Sequence, residues 1–305
     1  MTRRAAITTG LVGVATLVET SEAEAAIAPA KEWRVYDGAN TKSLSWRDME
    51  RGIGEADAVF VGEQHDDPET HRVELALLQA LYARHKDRLT LAMEMFERDG
   101  QAALTDYVQG KNDEATLGKS VKLWPNYPTD YKPMVEFAKA NKIPVVASNA
   151  PARIVRQVGQ NGLSALSKLS EADKNLISPY ILAPEGDEYA RRFAAIIGEG
   201  HGDGKMAPDM VRRFYEAQCL RDDTMAYSVA QALADGRKVL HVNGAFHSDA
   251  GLGTVARLRW RKPIGASVRV VKVMATNGKP EPEKARGEAD YLVYVPDKSD
   301  RKQSK

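Results

Sequence analysis

Short apolar runs alternate with longer helical patterns along this chain, and the alternation limits the folds open to it. The run Ala58-Val59-Phe60-Val61 is continuously apolar, as in a strand buried on both faces. Further strands are predicted at 89–93, 143–147 and 238–242, and helical patterns at 68–81, 101–108, 133–140, from 151 and from about 251. This order predicts an α/β fold in which helices cover both faces of a largely parallel central sheet.

Two later segments depart from that alternation. Between residues 163 and 206 strand signals stop and the pattern is helical, with Pro179, Pro184 and a Gly-rich loop, so we expect a helical lid insertion at about 163–206. Segments 267–274 and 291–295 alternate in polarity and predict edge strands. We expect one domain over 26–296 and a flexible polar tail over 297–305.

The first 25 residues have the pattern of an export signal. Arg3 and Arg4 precede an apolar run over 5–18, and Ala23-Glu24-Ala25 supplies a cleavage pattern. Because no cysteine follows the run, we expect an exported, periplasmic protein without a lipid anchor; the alternative is a weakly helical N-terminus. Lys and Arg total 43 against 42 Asp and Glu, a net charge of +1 that gives no electrostatic footprint for nucleic acid.

Polar residues stand just past the predicted strands. Carboxylates, histidines and carboxamides follow four of them: Glu63, His65, Glu94, Asn149, Asn243 and His247. In open α/β sheets, ligands bind beyond the carboxyl ends of the strands, so we predict a functional cleft there. Gly62 and Gly244 suit a close backbone approach. The alternative is that strand-end polar residues, Asp66, Asp67 and Ser248 above all, only cap the following helices.

A helix from residue 211 carries a second anomaly. Its apolar face is interrupted by Gln218 and Asp222. A buried carboxylate needs a partner, which here would be Arg221, a strand-end histidine or a ligand. Asp222 is therefore either part of the cleft or part of a structural network.

Several ordered motifs identify a resemblance over roughly residues 56–260. They are VGEQHDDPETHRVELALLQAL, LAMEMFERDGQAAL, YKPMVEFA, VVASNAPARIVR, QCLRDDTMA and HVNGAFHSDAGLGTVARL. Together they closely resemble the ChaN-like family of haem-binding uptake proteins, in the Tiki/erythromycin-esterase-like superfamily. The resemblance implies a parallel sheet with a helical lid, and a role in haem or iron acquisition. It also implies stacked haems in a homodimer and an outer-membrane uptake system as partner.

Haem iron needs an axial donor, and tyrosine ligation is associated with ChaN-like proteins. Tyr180 and Tyr189 lie in the predicted lid, and Arg191 stands near Tyr189 where it would pair with a phenolate or a propionate. Tyr127 and Tyr131 lie nearer the sheet. The motifs do not reach the lid, so these ligands rest on residue type and position alone.

Relatives in the wider superfamily suggest a different use of the same cleft. They resemble metal-dependent hydrolases or proteases, and the corresponding residues here are Glu63, His65, Glu94 and His247. Two imidazoles and two carboxylates suit a divalent metal, or one glutamate serves as general base. Whether the chain is an enzyme, a haem binder or a scaffold without chemistry stays open from sequence. We expect His71 beside the site or at the surface, and His85 and His201 in solvent.

Overall fold

The computed structural model describes residues 29–199, 206–261 and 265–297, which fold around an eight-stranded sheet. The strands are β1 (Arg34–Asp37), β2 (Ser43–Leu44), β3 (Ala58–Glu63), β4 (Leu89–Glu97), β5 (Val145–Asn149), β6 (Lys238–Gly244), β7 (Val268–Thr276) and β8 (Tyr291–Pro296). Their order across the sheet is β2-β1-β8-β7-β3-β6-β4-β5. Strands β8 through β5 in that order run parallel, whereas β1 is antiparallel to both β8 and β2. The predicted, largely parallel sheet is confirmed.

Helices cover both faces of this sheet, as predicted. They are α1 (Trp46–Gly54), α2 (Pro68–His85), α3 (Gln101–Val108), α4 (Glu114–Ser120), α5 (Lys132–Ala140), α6 (Ala152–Asn161), α7 (Glu171–Lys174), α8 (Glu188–Glu199), α9 (Pro208–Ala234) and α10 (Gly253–Arg261). Val59 and Val61 of β3 join a core with α1, α2, α3 and α5. Ala58 and Phe60 point the other way, toward α9 and α10. Because β3 is buried on both faces, its first four residues form a continuous apolar run.

The prediction of edge strands near the C-terminus is wrong. β7 lies between β3 and β8, and β8 lies between β7 and β1, so neither is at an edge. The alternation in β7 reflects one partly exposed face, since Arg269 is exposed between buried Val268 and Val270. The short β1 and β2, which the sequence does not predict, form that side of the sheet instead.

Strand β4 is longer than predicted, and this changes the position of Glu94. The strand continues to Glu97, with an irregular register against β5 between Met93 and Glu97. Glu94 therefore lies within the strand, at this irregularity, rather than just beyond its end. A register shift of this kind re-aims side chains near the end of a strand.

The segment predicted as a helical lid is partly helical over its described residues, which end at 199. It contains a 3₁₀ turn (Leu163–Lys168), α7 and α8, joined by irregular backbone. Tyr189 and Phe193 of α8 pack against Tyr215 and Cys219 of α9, next to the strand ends. Movement of this segment over a site stays a prediction.

Some sequence predictions lie outside the described residues. These are the signal peptide over 1–25, His201 and the tail from residue 298 onward. Within the described residues, no helix combines the length and the apolar character needed to cross a membrane.

The prediction that His85 lies in solvent is wrong. His85 ends α2 but is buried, because α1 packs against α2 there and Gly54 lies against the ring. Burial and the neighbouring Lys238, Arg84 and Arg88 lower the pKa of His85 below its ordinary value.

Candidate functional site

The carboxyl ends of the central strands bring the predicted polar residues to one end of the sheet. Between β3 and β6, Gly62 lies opposite Asn243 and Glu63 opposite Gly244. Parallel pairing aligns the ends of these strands, so residues far apart in sequence meet. The side chains of Glu63 and Asn243 are buried there. The structure thus brings these residues to one end of the sheet, while their chemical roles stay predictions.

His65 is the member of this group that reaches solvent. Its Nδ1 hydrogen-bonds to Oε1 of Glu63, and its ring centroid lies 4.9 Å from that of Trp124. A Cβ placed on Gly244 would lie 2.5 Å from Nε2 of His65, so only glycine leaves room for this ring. The His65 side chain is 39% exposed, whereas that of Glu63 is fully buried. Burial alone would lower the pKa of His65, but the carboxylates of Glu63 and Glu94 raise it.

His247 is held between two carboxylates. Its Nε2 lies 3.3 Å from Oε1 of Glu94, and its Nδ1 lies 2.8 Å from Oδ1 of Asp222. Burial alone would lower the pKa of His247, but these two carboxylates raise it to about 10. Burial would raise the pKa of Glu94, but His247, His65 and the Gly244 backbone N–H, which donates across 2.8 Å, bring it to about 2. His247 is therefore a buried imidazolium at neutral pH.

Asp222 is fixed from several sides. Its Oδ1 accepts from the Thr254 hydroxyl at 2.8 Å, and its Oδ2 accepts from the Tyr189 hydroxyl at 2.6 Å. Nε2 of Gln218, one turn earlier on α9, donates to this Tyr189 hydroxyl at 3.3 Å. A strand-end histidine is one of the predicted partners of Asp222, and that prediction is confirmed.

The two carboxamides hold the strand ends together. Asn149 donates to the Glu94 carbonyl at 3.1 Å. Asn243 donates to the Gly244 carbonyl at 2.9 Å and to the Ser248 hydroxyl at 3.1 Å. Both side chains thus support the backbone that carries Glu94 and Gly244.

Residues that the sequence-based site omits surround the inner side of Glu63. Nδ1 of His71 lies 3.0 Å from Oε2 of Glu74 and 3.2 Å from Oε2 of Glu63. The Tyr131 hydroxyl, from a π-helical turn preceding α5, donates to Oε1 of Glu63 at 2.7 Å. Burial alone would lower the pKa of His71, but Glu63 and Glu74 raise it to about 11. Burial and the charge of Glu63 raise the pKa of Glu74 well above its ordinary value.

The residues predicted as one metal set divide into separate couples. Glu63 pairs with His65, and Glu94 pairs with His247. Among residues 29–199, 206–261 and 265–297, one group of three has candidate ligand atoms that all lie within 4.8 Å of one another. It consists of Glu63, His71 and Glu74.

The predicted haem ligands lie in different surroundings. Tyr180 is 65% exposed, and its ring centroid lies 6.4 Å from that of Trp260, which is also exposed. Tyr189 is buried, stacks on Phe246 at 4.9 Å and uses its hydroxyl to bind Asp222. Arg191 donates to the Gly186 carbonyl at the surface.

The comparisons with known proteins give a matching family and a solved structure with the same fold. A family model described as "Haem-binding uptake, Tiki superfamily, ChaN" matches residues 49–258. The solved structure of ChaN of Campylobacter jejuni with cofacial haem aligns with a TM-score of 0.65 at 16% identity, covering 86% of this chain and 96% of that one. The open conformation of an erythromycin esterase mutant, EreC, aligns with a TM-score of 0.46 at 12% identity, covering 87% and 83%.

A curated plant protein is also similar in sequence. Protein RETICULATA-RELATED 5, chloroplastic, of Arabidopsis thaliana is 27% identical over 257 residues, which are 77% of this chain and 34% of that protein. The chain thus spans about a third of the length of this relative.

Proposed function

Because this chain belongs to the haem-binding uptake (ChaN) family of the Tiki superfamily, we propose that it binds haem and serves iron acquisition in the periplasm. The observation that carries the proposal is the family match, which spans residues 49–258 and includes every strand-end residue. The structural likeness to ChaN of Campylobacter jejuni adds support for the fold. The export pattern over residues 1–25 supports the proposed location.

Tyr180 is the tyrosine that best suits an axial ligand. Its ring is largely exposed, and its hydroxyl has no hydrogen bond from the described residues. Ser178 and Arg261 hold its carbonyl at 2.7 and 2.9 Å, which fixes the backbone while the phenol stays accessible. Trp260 adds an exposed aromatic face beside it for a porphyrin to pack against. These residues fit haem: a phenol donor for iron and an apolar surface for the ring.

Tyr189 fits the same role less well. Its hydroxyl already donates to Asp222, and burial with that neighbouring carboxylate raises its pKa well above the ordinary value. Iron ligation by Tyr189 would need the Asp222 hydrogen bond to break and Phe246 to move. We therefore assign the axial position to Tyr180.

The exposure of Tyr180 also supports a paired arrangement. A haem bound to a surface tyrosine presents its other face to solvent, and a second haem on another copy of the chain would cover that apolar face. ChaN of Campylobacter jejuni binds haem cofacially. We propose the same for this chain, with a homodimer formed around two stacked haems.

A visible-absorption titration of the mature protein with ferric haem tests this function. We expect saturable binding with a phenolate-to-iron band, which Tyr180→Phe abolishes while weakening affinity by at least about tenfold. Tyr82→Phe is the matched control, because it removes a hydroxyl from a half-buried tyrosine on α2. The titration should saturate at one haem per chain. Sedimentation velocity should show that the chain forms a dimer when haem is loaded.

Each alternative outcome is informative. Absence of saturable binding by the intact protein would rule out the haem proposal. Binding that survives Tyr180→Phe but is lost in Tyr189→Phe would identify Tyr189 on α8 as the axial ligand. Haem-loaded monomers would contradict the stacked arrangement.

The location and the uptake partner need their own experiments. Mass spectrometry of protein from a periplasmic fraction should show a chain that begins after Ala25. Crosslinking of the loaded protein should capture an outer-membrane uptake component. A full-length chain in the cytoplasm would contradict the proposed export.

A metal-dependent hydrolase is the second candidate function, favoured by the arrangement of Glu94, His247 and Asp222 beside solvent-facing His65. With Glu63, these residues would hold a divalent metal or act on an ester or peptide directly. Since His247 is protonated at neutral pH, it suits proton donation better than base catalysis. Substitution His247→Ala should abolish hydrolysis while leaving haem affinity nearly unchanged. Loss of haem binding in the same variant would instead join the two functions in one site.

A further inference from the structure

The cluster of Glu63, His71 and Glu74 presents several electron-pair donors to one point in the interior. Glu63 follows from the end of β3, while His71 and Glu74 stand three residues apart on α2 and so share a face of that helix. Nδ1 of His71 lies 3.0 and 3.2 Å from an oxygen of each glutamate. The glutamate side chains are fully buried and that of His71 is 3% exposed.

The hydrogen bonds of Nε2 determine whether Nδ1 of His71 can offer a lone pair to a cation. Nε2 lies 3.3 Å from the His65 carbonyl and 3.6 Å from a carboxylate oxygen of Asp130. Both neighbours are acceptors, so Nε2 carries a proton, and Asn126 bridges the same two groups at 2.8 Å each. A cation that displaces the proton from Nδ1 would therefore meet a lone pair that faces the two glutamates.

Two carboxyl oxygens of the cluster have no N–H or hydroxyl donor. They are Oε2 of Glu63 and Oε1 of Glu74, and both are buried. The two carboxyl groups hydrogen-bond to each other, which requires a proton between them. A cation placed among them would replace that proton and offset the cost of burying two carboxylates.

We propose that Glu63, His71 and Glu74 form a binding site for a divalent first-row transition cation such as Zn²⁺, Mn²⁺ or Fe²⁺. An imidazole nitrogen with two carboxylates suits these ions, whereas Ca²⁺ and Mg²⁺ prefer oxygen ligands alone. Binding releases the Nδ1 proton of His71 and the proton shared by the two glutamates, after which two carboxylates balance the charge of the ion. The set differs from the strand-end set of the hydrolase candidate, sharing only Glu63 with it.

The surroundings support a metal site as well as a ligand set. Asp130 behind His71 matches the carboxylate–imidazole pairing that orients metal-bound histidines. The Tyr131 hydroxyl orients Glu63 by donating to its other oxygen at 2.7 Å. His65 is bonded to that same oxygen and is 39% exposed, so it links the cluster to the protein surface.

Metal loading of the full chain tests this site. Protein stripped with a chelator and desalted should take up one equivalent of Zn²⁺ or Mn²⁺, measured by elemental analysis and isothermal titration. Glu74→Gln, which keeps the size of the side chain, should weaken binding at least about 100-fold and remove the accompanying rise in melting temperature. His85→Gln is the matched control, since His85 is a buried histidine on the same helix. Co²⁺ added in place of Zn²⁺ should give an absorption spectrum that Glu74→Gln changes.

The remaining outcomes overturn the proposal. If the stripped protein takes up none of Zn²⁺, Mn²⁺ and Fe²⁺, then protons alone occupy the cluster. If binding survives both Glu74→Gln and His71→Gln, or is lost in His247→Gln and kept in Glu74→Gln, then the metal lies at the strand-end couples. Far-ultraviolet circular dichroism separates these results from failure to fold, and haem titration of the same variants keeps the haem proposal separately testable.

Discussion

His241 lies in the middle of β6, fully buried, and should make the folded protein less stable as the pH falls. Its Nδ1 lies 2.9 Å from Oδ1 of Asn243, and its Nε2 lies 3.1 Å from the Ser148 hydroxyl. Asn243 uses its amide hydrogens elsewhere, so its oxygen accepts from Nδ1 and the neutral ring is fully hydrogen-bonded. Burial outweighs the hydrogen bond from the ring to Asn243 and lowers the pKa of His241 to about 4.

The magnitude follows from the difference between the two states. The unfolded chain binds this proton near its ordinary pKa of 6.5, whereas the folded protein resists it until about 4. The stability that neutral His241 contributes is therefore present above pH 6.5 and is lost as the pH falls through this window. The loss amounts to about 2 kcal/mol at pH 5 and about 3 kcal/mol at the acid limit.

Urea unfolding followed by tryptophan fluorescence at pH 8, 7, 6 and 5 measures this contribution. Because other groups titrate over the same range, the quantity to compare is the difference in free energy of unfolding between wild type and His241→Gln. That difference should shrink by about 2 kcal/mol between pH 8 and pH 5. His65→Gln is a control of opposite sign, because the raised pKa of His65 gives stability that is lost as the pH rises. Parallel curves for wild type and His241→Gln would refute the reasoning.

Two further substitutions test the site geometry. Gly244→Ala should lower the free energy of unfolding by about 1–3 kcal/mol, because the new Cβ would lie 2.5 Å from Nε2 of His65. Gly118→Ala is the control: Gly118 is in an exposed helix, a Cβ there would lie 3.7 Å from its nearest neighbour, and the change should be neutral or stabilising. Equal effects of the two in thermal melts would contradict the packing of His65 over Gly244. Asp222→Asn should cost about 3–5 kcal/mol in urea unfolding, since it takes one carboxylate from the buried imidazolium of His247. A loss below about 1 kcal/mol would mean that His247 is neutral in the folded protein.

The sequence predicts the sheet and the strand-end residues because both depend on local signals. Buried parallel strands are continuously apolar, and the residues at and just after their carboxyl ends must lie at one end of the sheet, as Glu63 and His247 do. The edge is harder to predict. β1 and β2 are four and two residues long, too short for a periodic signal, and without them β7 and β8 look like the last strands of the sheet.

Distances between side chains are the part of the site that sequence does not supply. The four residues predicted as one metal set share a sheet end, but which histidine pairs with which carboxylate depends on the irregular end of β4 at Glu94 and on α9. Similarly, Tyr180 and Tyr189 look alike in sequence. Only the packing of α8 against α9 buries one of them and leaves the other in solvent.

The two sides of this site share one sequence signal, which is a polar residue on the buried face of a helix. Asp222 shows it on α9, where it leads to His247. The same signal is present on α2, where His71 and Glu74 continue the stripe of buried Leu78 at spacings of three and four. The helical spacing on α2 therefore indicates that His71 and Glu74 lie on one buried face, while their distance from Glu63 comes from the structure. In both helices the buried charge lies against a strand end that supplies an opposite charge, which places two histidine–carboxylate clusters on the two faces of one sheet end. His65 packs against Gly244, is hydrogen-bonded to Glu63 of one cluster and interacts electrostatically with Glu94 of the other. Substitutions at His65 should therefore change the pKa values of groups in both clusters.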